Sequence, residues 1–277
     1  MIRIFLALLA LTLLPSGGAF AQDTRRTDEL MKKSGLWKQL EHYDTLILSG
    51  LETELGKSGV LVDRNGLKKA ATSFSADNLR RDVRLVLDKE MTGADEAEVL
   101  IWLSSDIGKR LTGIEEKFGD NADSAATQRQ QQAIAEFVKK VPESRLALVK
   151  RMTSALDAGN ATAKAMGNMT IAIAYGAAMA TGGEAEIAAK LRREFDAERP
   201  QMALMMERLM IATYAYMYRG VSDADLGRYV DFIESPAGLR YHDASSAALE
   251  QALTLASLKF GQELGELAKK APNTKRT

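Results

Sequence analysis

VSDADLGRYVDFIESPAGLRY, residues 221–241, decides the fold. Ser222 is suited to cap a helix N-terminus, and Asp225 three positions on can reach back to it, a variant of the capping box. Leu226, Tyr229, Val230 and Ile233 then recur at helical spacing and form one apolar stripe beside Phe232. Ser235 opens a second helix whose first residue is Pro236, where a fixed φ and a missing N–H cost nothing. Gly238 follows at a point where two helices pass too closely for a Cβ. The stretch therefore reads as a capped helix, a serine break and another capped helix.

A faded copy lies 130 positions earlier: MTGADEAEVLIWLSSDIGKRL, residues 91–111. Thr92 and Asp95 stand where Ser222 and Asp225 do, and Trp102 stands opposite Phe232. Ser105, Gly108 and Arg110 match Ser235, Gly238 and Arg240. Glu96 replaces the leucine of the stripe, and Asp106 replaces Pro236, which still suits a helix start through the dipole. The chain is expected to carry one helical hairpin twice.

The rest of the sequence agrees with an all-α fold. Five prolines occur in 277 residues, one of them at position 15. Apolar residues return every three or four positions, with no sustained alternation. Helices are expected at 28–56, 77–90, 94–104, 106–118, 124–140, 143–180, 184–198, 200–219, 223–234 and 236–270. Residues 60–75 read as a loop or short helical turn, and Gly182-Gly183 as a helix stop. The expected architecture is a helical bundle of two related hairpin repeats. A degenerate repeat occupies 22–122 and a second, carrying the motif, occupies 123–277. Between them GDNADSAATQRQQQ, 119–132, has linker-like composition.

Residues 1–21 read as a secretion signal: Arg3, an apolar run from Ile4 to Leu14, a Pro-Gly break, and Ala19-Phe20-Ala21 as a cleavage pattern. The run is shorter than the roughly 20 residues of a membrane span. A mature chain starting at Gln22, cleaved after Ala21, is expected in the periplasm. It has no cysteine, so burial and hydrogen bonds must hold it together. Without Arg3 it balances 36 basic against 37 acidic side chains, which leaves no field to steer a polyanion. Nucleic acid is a poor partner.

The run from Ser222 to Leu226 followed by Phe232-Ile233-Glu234-Ser235-Pro236-x-Gly238 resembles the core motif of domain-of-unknown-function family 2059. That family consists of exported helical bacterial proteins, largely Gram-negative, without an assigned activity. The resemblance covers the C-terminal motif and departs from the pattern at Glu96 and Asp106 in the earlier copy. It implies compartment and fold and supplies no catalytic residues.

No cluster carries a catalytic or metal signature. His42 and His242 lack zinc-ligand spacing and read as surface or capping residues. Asp223 and Asp225 belong to a helix N-terminus, and with Asp231 they do not follow a calcium-loop pattern. No G-x-S-x-G elbow, P-loop or dinucleotide fingerprint is present. No cofactor or metal is expected. A hydrolase using Glu234 or His242 in a cleft between the halves is the alternative function.

Residues 201–218 attract more interest. Met202, Leu204, Met205, Met206, Leu209, Met210, Ile211, Tyr214, Tyr216 and Met217 cover nearly every face of that helix. Such a helix is either the centre of a bundle or an apolar binding surface. In the second case Met205, Met206, Met210, Tyr214 and Met217 would receive a protein or lipid partner, since methionine adapts to irregular ligands. Ala172, Gly176 and Ala180 form a small-residue face for close helix approach, within the chain or in a homodimer. The expected function is a non-catalytic binding or interaction protein of the cell envelope.

Overall fold

A computed structural model describes residues 19–58, 63–119, 124–183 and 186–270, and among them it is all-α, with no strand. Residues 1–18 of the expected signal lie outside this set. In chain order the helices are α1 (Ala19–Lys33), α2 (Leu36–Gln39), α3 (Tyr43–Ser58), α4 (Arg64–Ala71), α5 (Ala76–Glu90), α6 (Gly93–Ser104) and α7 (Asp106–Gly119). They continue as α8 (Ser124–Val138), α9 (Glu143–Ala155), α10 (Ala158–Thr181), α11 (Glu186–Met217), α12 (Asp223–Ile233) and α13 (Pro236–Lys270). A 3-10 turn, Thr72–Phe74, joins α4 to α5.

The cap residues act as their chemistry dictates. Thr92 Oγ accepts from the Asp95 amide at 3.2 Å, and Ser222 Oγ from the Asp225 amide at 3.1 Å. At the serine breaks, Ser105 Oγ accepts from the Gly108 amide at 3.0 Å and Ser235 Oγ from the Gly238 amide at 3.1 Å. A Cβ on Gly108 would lie 2.2 Å from the Trp102 carbonyl oxygen, and one on Gly238 2.0 Å from that of Phe232. Both glycines are therefore required by the sharp hairpin bend itself, where each approaches the carbonyl of the preceding helix.

Four expected boundaries are corrected. The helix 28–56 is interrupted after Lys33 because Gly35 adopts φ 78°, a conformation open to glycine. Within the expected loop, Asp63 accepts from the Asn65 amide at 3.0 Å and starts α4. The helix 143–180 is broken at Asp157, whose φ is 43°. Conversely, α11 runs straight through Pro200 rather than beginning there. Contacts on both flanks hold it helical: the Phe195 ring fills the space over Gly167, and Ala203 with Glu207 closes on Gly159.

Two apolar cores form, and each draws on both sides of position 122. The first joins Leu30 and Met31 of α1, Leu79, Val83 and Leu87 of α5, Val99 and Leu103 of α6, and Ala244, Ala248 and Phe260 of α13. There Phe74 meets Phe260 edge-on at 5.7 Å. The second joins Leu111 of α7, Val149 and Met152 of α9, Ala215 of α11, Tyr218 just after it, and Leu226, Val230 and Ile233 of α12. Each fully buried Leu, Val or Ile contributes about 1.5–3 kcal/mol of transfer free energy. Helix α6 thus packs with α13, while α7 joins the core of α12, so the two hairpins interlock.

Between the cores sits Trp102, stacked on Phe232 with centroids 4.6 Å apart and planes 8° from parallel. Arg240 Nε donates to Asp95 at 2.8 Å, and Arg110 pairs reciprocally with Asp225. Glu96, which stands where the second hairpin has Leu226, is buried and lies 3.2 Å from the Thr27 hydroxyl. A leucine there would need no such partner; the carboxylate does.

Long α13 runs along α10, and glycines set the closeness of that pair. A Cβ on Gly176 would meet the Leu258 carbonyl at 2.3 Å, and one on Gly261 the Ile173 carbonyl at 2.1 Å. The small face of α10 is thereby used inside the chain, against α13, and is not free for a homodimer. A polar link crosses this layer: Asn168 Nδ2 donates to Glu250 at 2.6 Å and Asn168 Oδ1 accepts from Arg192 at 2.7 Å, tying α10, α13 and α11 together. No helix among the described residues is long and apolar enough to cross a membrane.

Candidate functional site

Helix α11 sits at the edge of the bundle, not at its centre. Its N-terminal half packs on α10, and its C-terminal end enters the second core. Of residues 201–217 only Ala215 is buried. Exposure reaches 58% at Met205, 49% at Leu204 and 48% at Leu209. Met206 and Met210 are half-buried beside them. The expected surface is therefore divided. Met205, Met206 and Met210 share the outer stretch, whereas Tyr214 and Met217 pack against the second core.

Next to Leu204 a cleft of about 300 Å³ opens between the α9–α10 turn and α11. Pro200, Ala203 and Leu204 give it an apolar wall, and Thr153, Asp157, Asn160 and Glu207 give it a polar one. Asp157 is positioned by its own turn and accepts from Asn160 Nδ2 at 2.8 Å. The cleft is open, and Ser154 also lines it.

The motif residues hold structure. Asp225 faces Arg110, and hydrogen bonds from that guanidinium and from Ser222 keep its carboxyl below the usual carboxylate range. Asp223 is paired with Arg145, whose guanidinium also binds the Val221 carbonyl at 2.8 Å and so fixes the α11–α12 turn. Glu234 and Asp231 both face Arg151, at 2.5 and 3.2 Å. Glu234 is thereby ion-paired across to α9.

His242 is not the surface or capping residue that the sequence suggested. Its Nε2 is enclosed without a hydrogen-bond partner, and burial lowers its pKa from 6.5 to about 4. The ring packs against Tyr241, with centroids 5.4 Å apart. Neither described cleft is lined by His242 or Glu234. No group of three His, Cys, Asp or Glu side chains among the described residues is arranged to hold a metal ion.

One polar constellation was missed by the sequence reading. Glu115 of α7 accepts from the Tyr218 hydroxyl at 2.5 Å and from the Tyr229 hydroxyl at 2.9 Å. Burial pushes its carboxyl above the ordinary carboxylate range, while the two phenols act in the opposite direction. Both phenols are raised well above 10, first by burial and then by the charge of Glu115. They stay protonated as donors, so the trio ties α7 to the α11–α12 turn and to α12. Spacing puts Glu115 on the same helical face as Leu111 and Phe118, which signals an inward carboxylate but not its partners.

No protein-family model matches this chain, and neither a curated protein nor a solved structure does.

Proposed function

We propose that this is a non-catalytic binding or interaction protein of the cell envelope, exported with cleavage after Ala21, whose α11 recruits a protein or lipid partner. The observation that carries this reading is the exposure of Leu204, Met205 and Leu209 on a helix that the bundle covers on one side only. An apolar helix face left uncovered is stabilised by an outside partner, and methionine side chains adapt to one without a rigid fit. The resemblance of 222–238 to family 2059 carries the same compartment expectation and rests on those motif residues alone. Descent of the two hairpins from one ancestor accounts for their matched caps, glycines and reciprocal ion pairs.

Native mass spectrometry of protein purified from its own cell envelope tests the reading. Wild type is expected to retain a bound protein or lipid mass. The variant Leu204→Glu, Met205→Glu, Leu209→Glu is expected to lose it while its thermal unfolding midpoint is kept. Bare monomer for wild type would refute the proposal.

A further inference from the structure

We infer that the outward face of α11 pairs antiparallel with the same face of a second copy of this chain, about a two-fold axis at Gln201. This rests on the reading of α11 as a recruiting surface and names what occupies it. Leu191 and Phe195 are half-buried, and the Phe195 ring lies over Gly167 of α10. The opposite positions Glu194, Ala197, Gln201, Met205 and Arg208 are all exposed, at spacings of three and four that keep them on one stripe.

That stripe is self-complementary in one orientation only. A two-fold at Gln201 places Arg208 of one copy against Glu194 of the other, with Glu198 one turn away. It sets the small Ala197 under Met205, and it brings the two Gln201 amides together, where each can donate to the other. A parallel pairing would instead oppose Arg208 to Arg208 and Glu194 to Glu194, which like-charge repulsion disfavours. The charges are available for the purpose. Arg208 has no ion-pair partner among the described residues, and Glu194 has only a long contact of 3.8 Å to Lys190. The face is isologous, as closed two-fold assemblies require.

Its size sets the strength. Residues 194–208 span about 21 Å of helix at 1.5 Å per residue. A single helix pair of that length falls below the roughly 1,200 Å² of a standard stable interface. The dimer is therefore weak, dissociating in the micromolar range.

Sedimentation equilibrium between about 5 and 500 μM tests the pairing, together with a charge swap. Glu194→Arg and Arg208→Glu are each expected to raise the dimer Kd by at least about tenfold. Both together are expected to restore it. The chain has no cysteine, so Gln201→Cys alone is expected to form a disulfide-linked dimer under mild oxidation. A double swap that fails to restore association, or a chain monomeric at every concentration, would overturn the pairing. A monomer that still carries a lipid or foreign protein in native mass spectrometry leaves the recruiting role standing. A monomer carrying nothing removes both.

Discussion

Trp102 lies flat on Phe232, and the two rings occupy matched positions of the two hairpins, 130 residues apart. Exchanging the hairpins maps one cross-hairpin ion pair onto the other: Asp95–Arg240 becomes Asp225–Arg110. The stack is the point at which the two cores touch, because both rings border each of them. Stability should therefore be coupled across it. A double-mutant cycle with Trp102→Ala and Phe232→Ala, read by urea unfolding, is expected to give a coupling of about 1 kcal/mol. Additive losses would show that the rings are only neighbours.

The glycines divide into two kinds, and alanine substitution separates them. Gly108→Ala and Gly238→Ala each force a Cβ into a backbone carbonyl and should cost about 2–3 kcal/mol. Gly113 has open space and Gly227 meets only Leu148 at 4.0 Å. Alanine at either of these helix-interior sites should stabilise by about 0.5–1 kcal/mol. Thermal or urea unfolding of the four variants checks both signs.

His242 imposes a pH dependence of known sign. Its pKa is about 4 in the fold against 6.5 for the unperturbed side chain. Between those values the unfolded chain binds a proton that the native state refuses, so stability falls as pH drops from 6.5 toward 4. The loss attributable to this residue is at most about 3 kcal/mol. The difference in unfolding free energy between wild type and His242→Gln is expected to change across that window. A difference constant from pH 7 to 4.5 would contradict a neutral ring with an enclosed Nε2.

The elements legible in the sequence were those governed by local chemistry. Ser222, Thr92, Ser105 and Ser235 cap because a hydroxyl can reach a nearby amide, whatever the surrounding fold. What could not be read depended on distant partners. Pro200 breaks isolated helices at a cost of about 3 kcal/mol, yet α11 continues because α10 supports both flanks of the proline. Asp157 shows the reverse: helical composition gave way to a left-handed residue where α9 turns into α10. The Met-rich helix posed a third difficulty. Periodicity identified it as apolar all round, but only the packing places Tyr214 inside and Met205 outside. The Glu115–Tyr218–Tyr229 trio needed three helices brought together, and no sequence spacing alone connects positions 103 and 114 apart.

The exposed face of α11 is tested most directly by a photo-crosslinking residue placed at Met205 in living cells. The control is the same residue at Leu85, a position on α5 that is 63% exposed. A discrete crosslinked product from position 205, absent from position 85, is the expected result. Identical patterns from the two positions, or none from 205, would contradict a recruiting role for that helix.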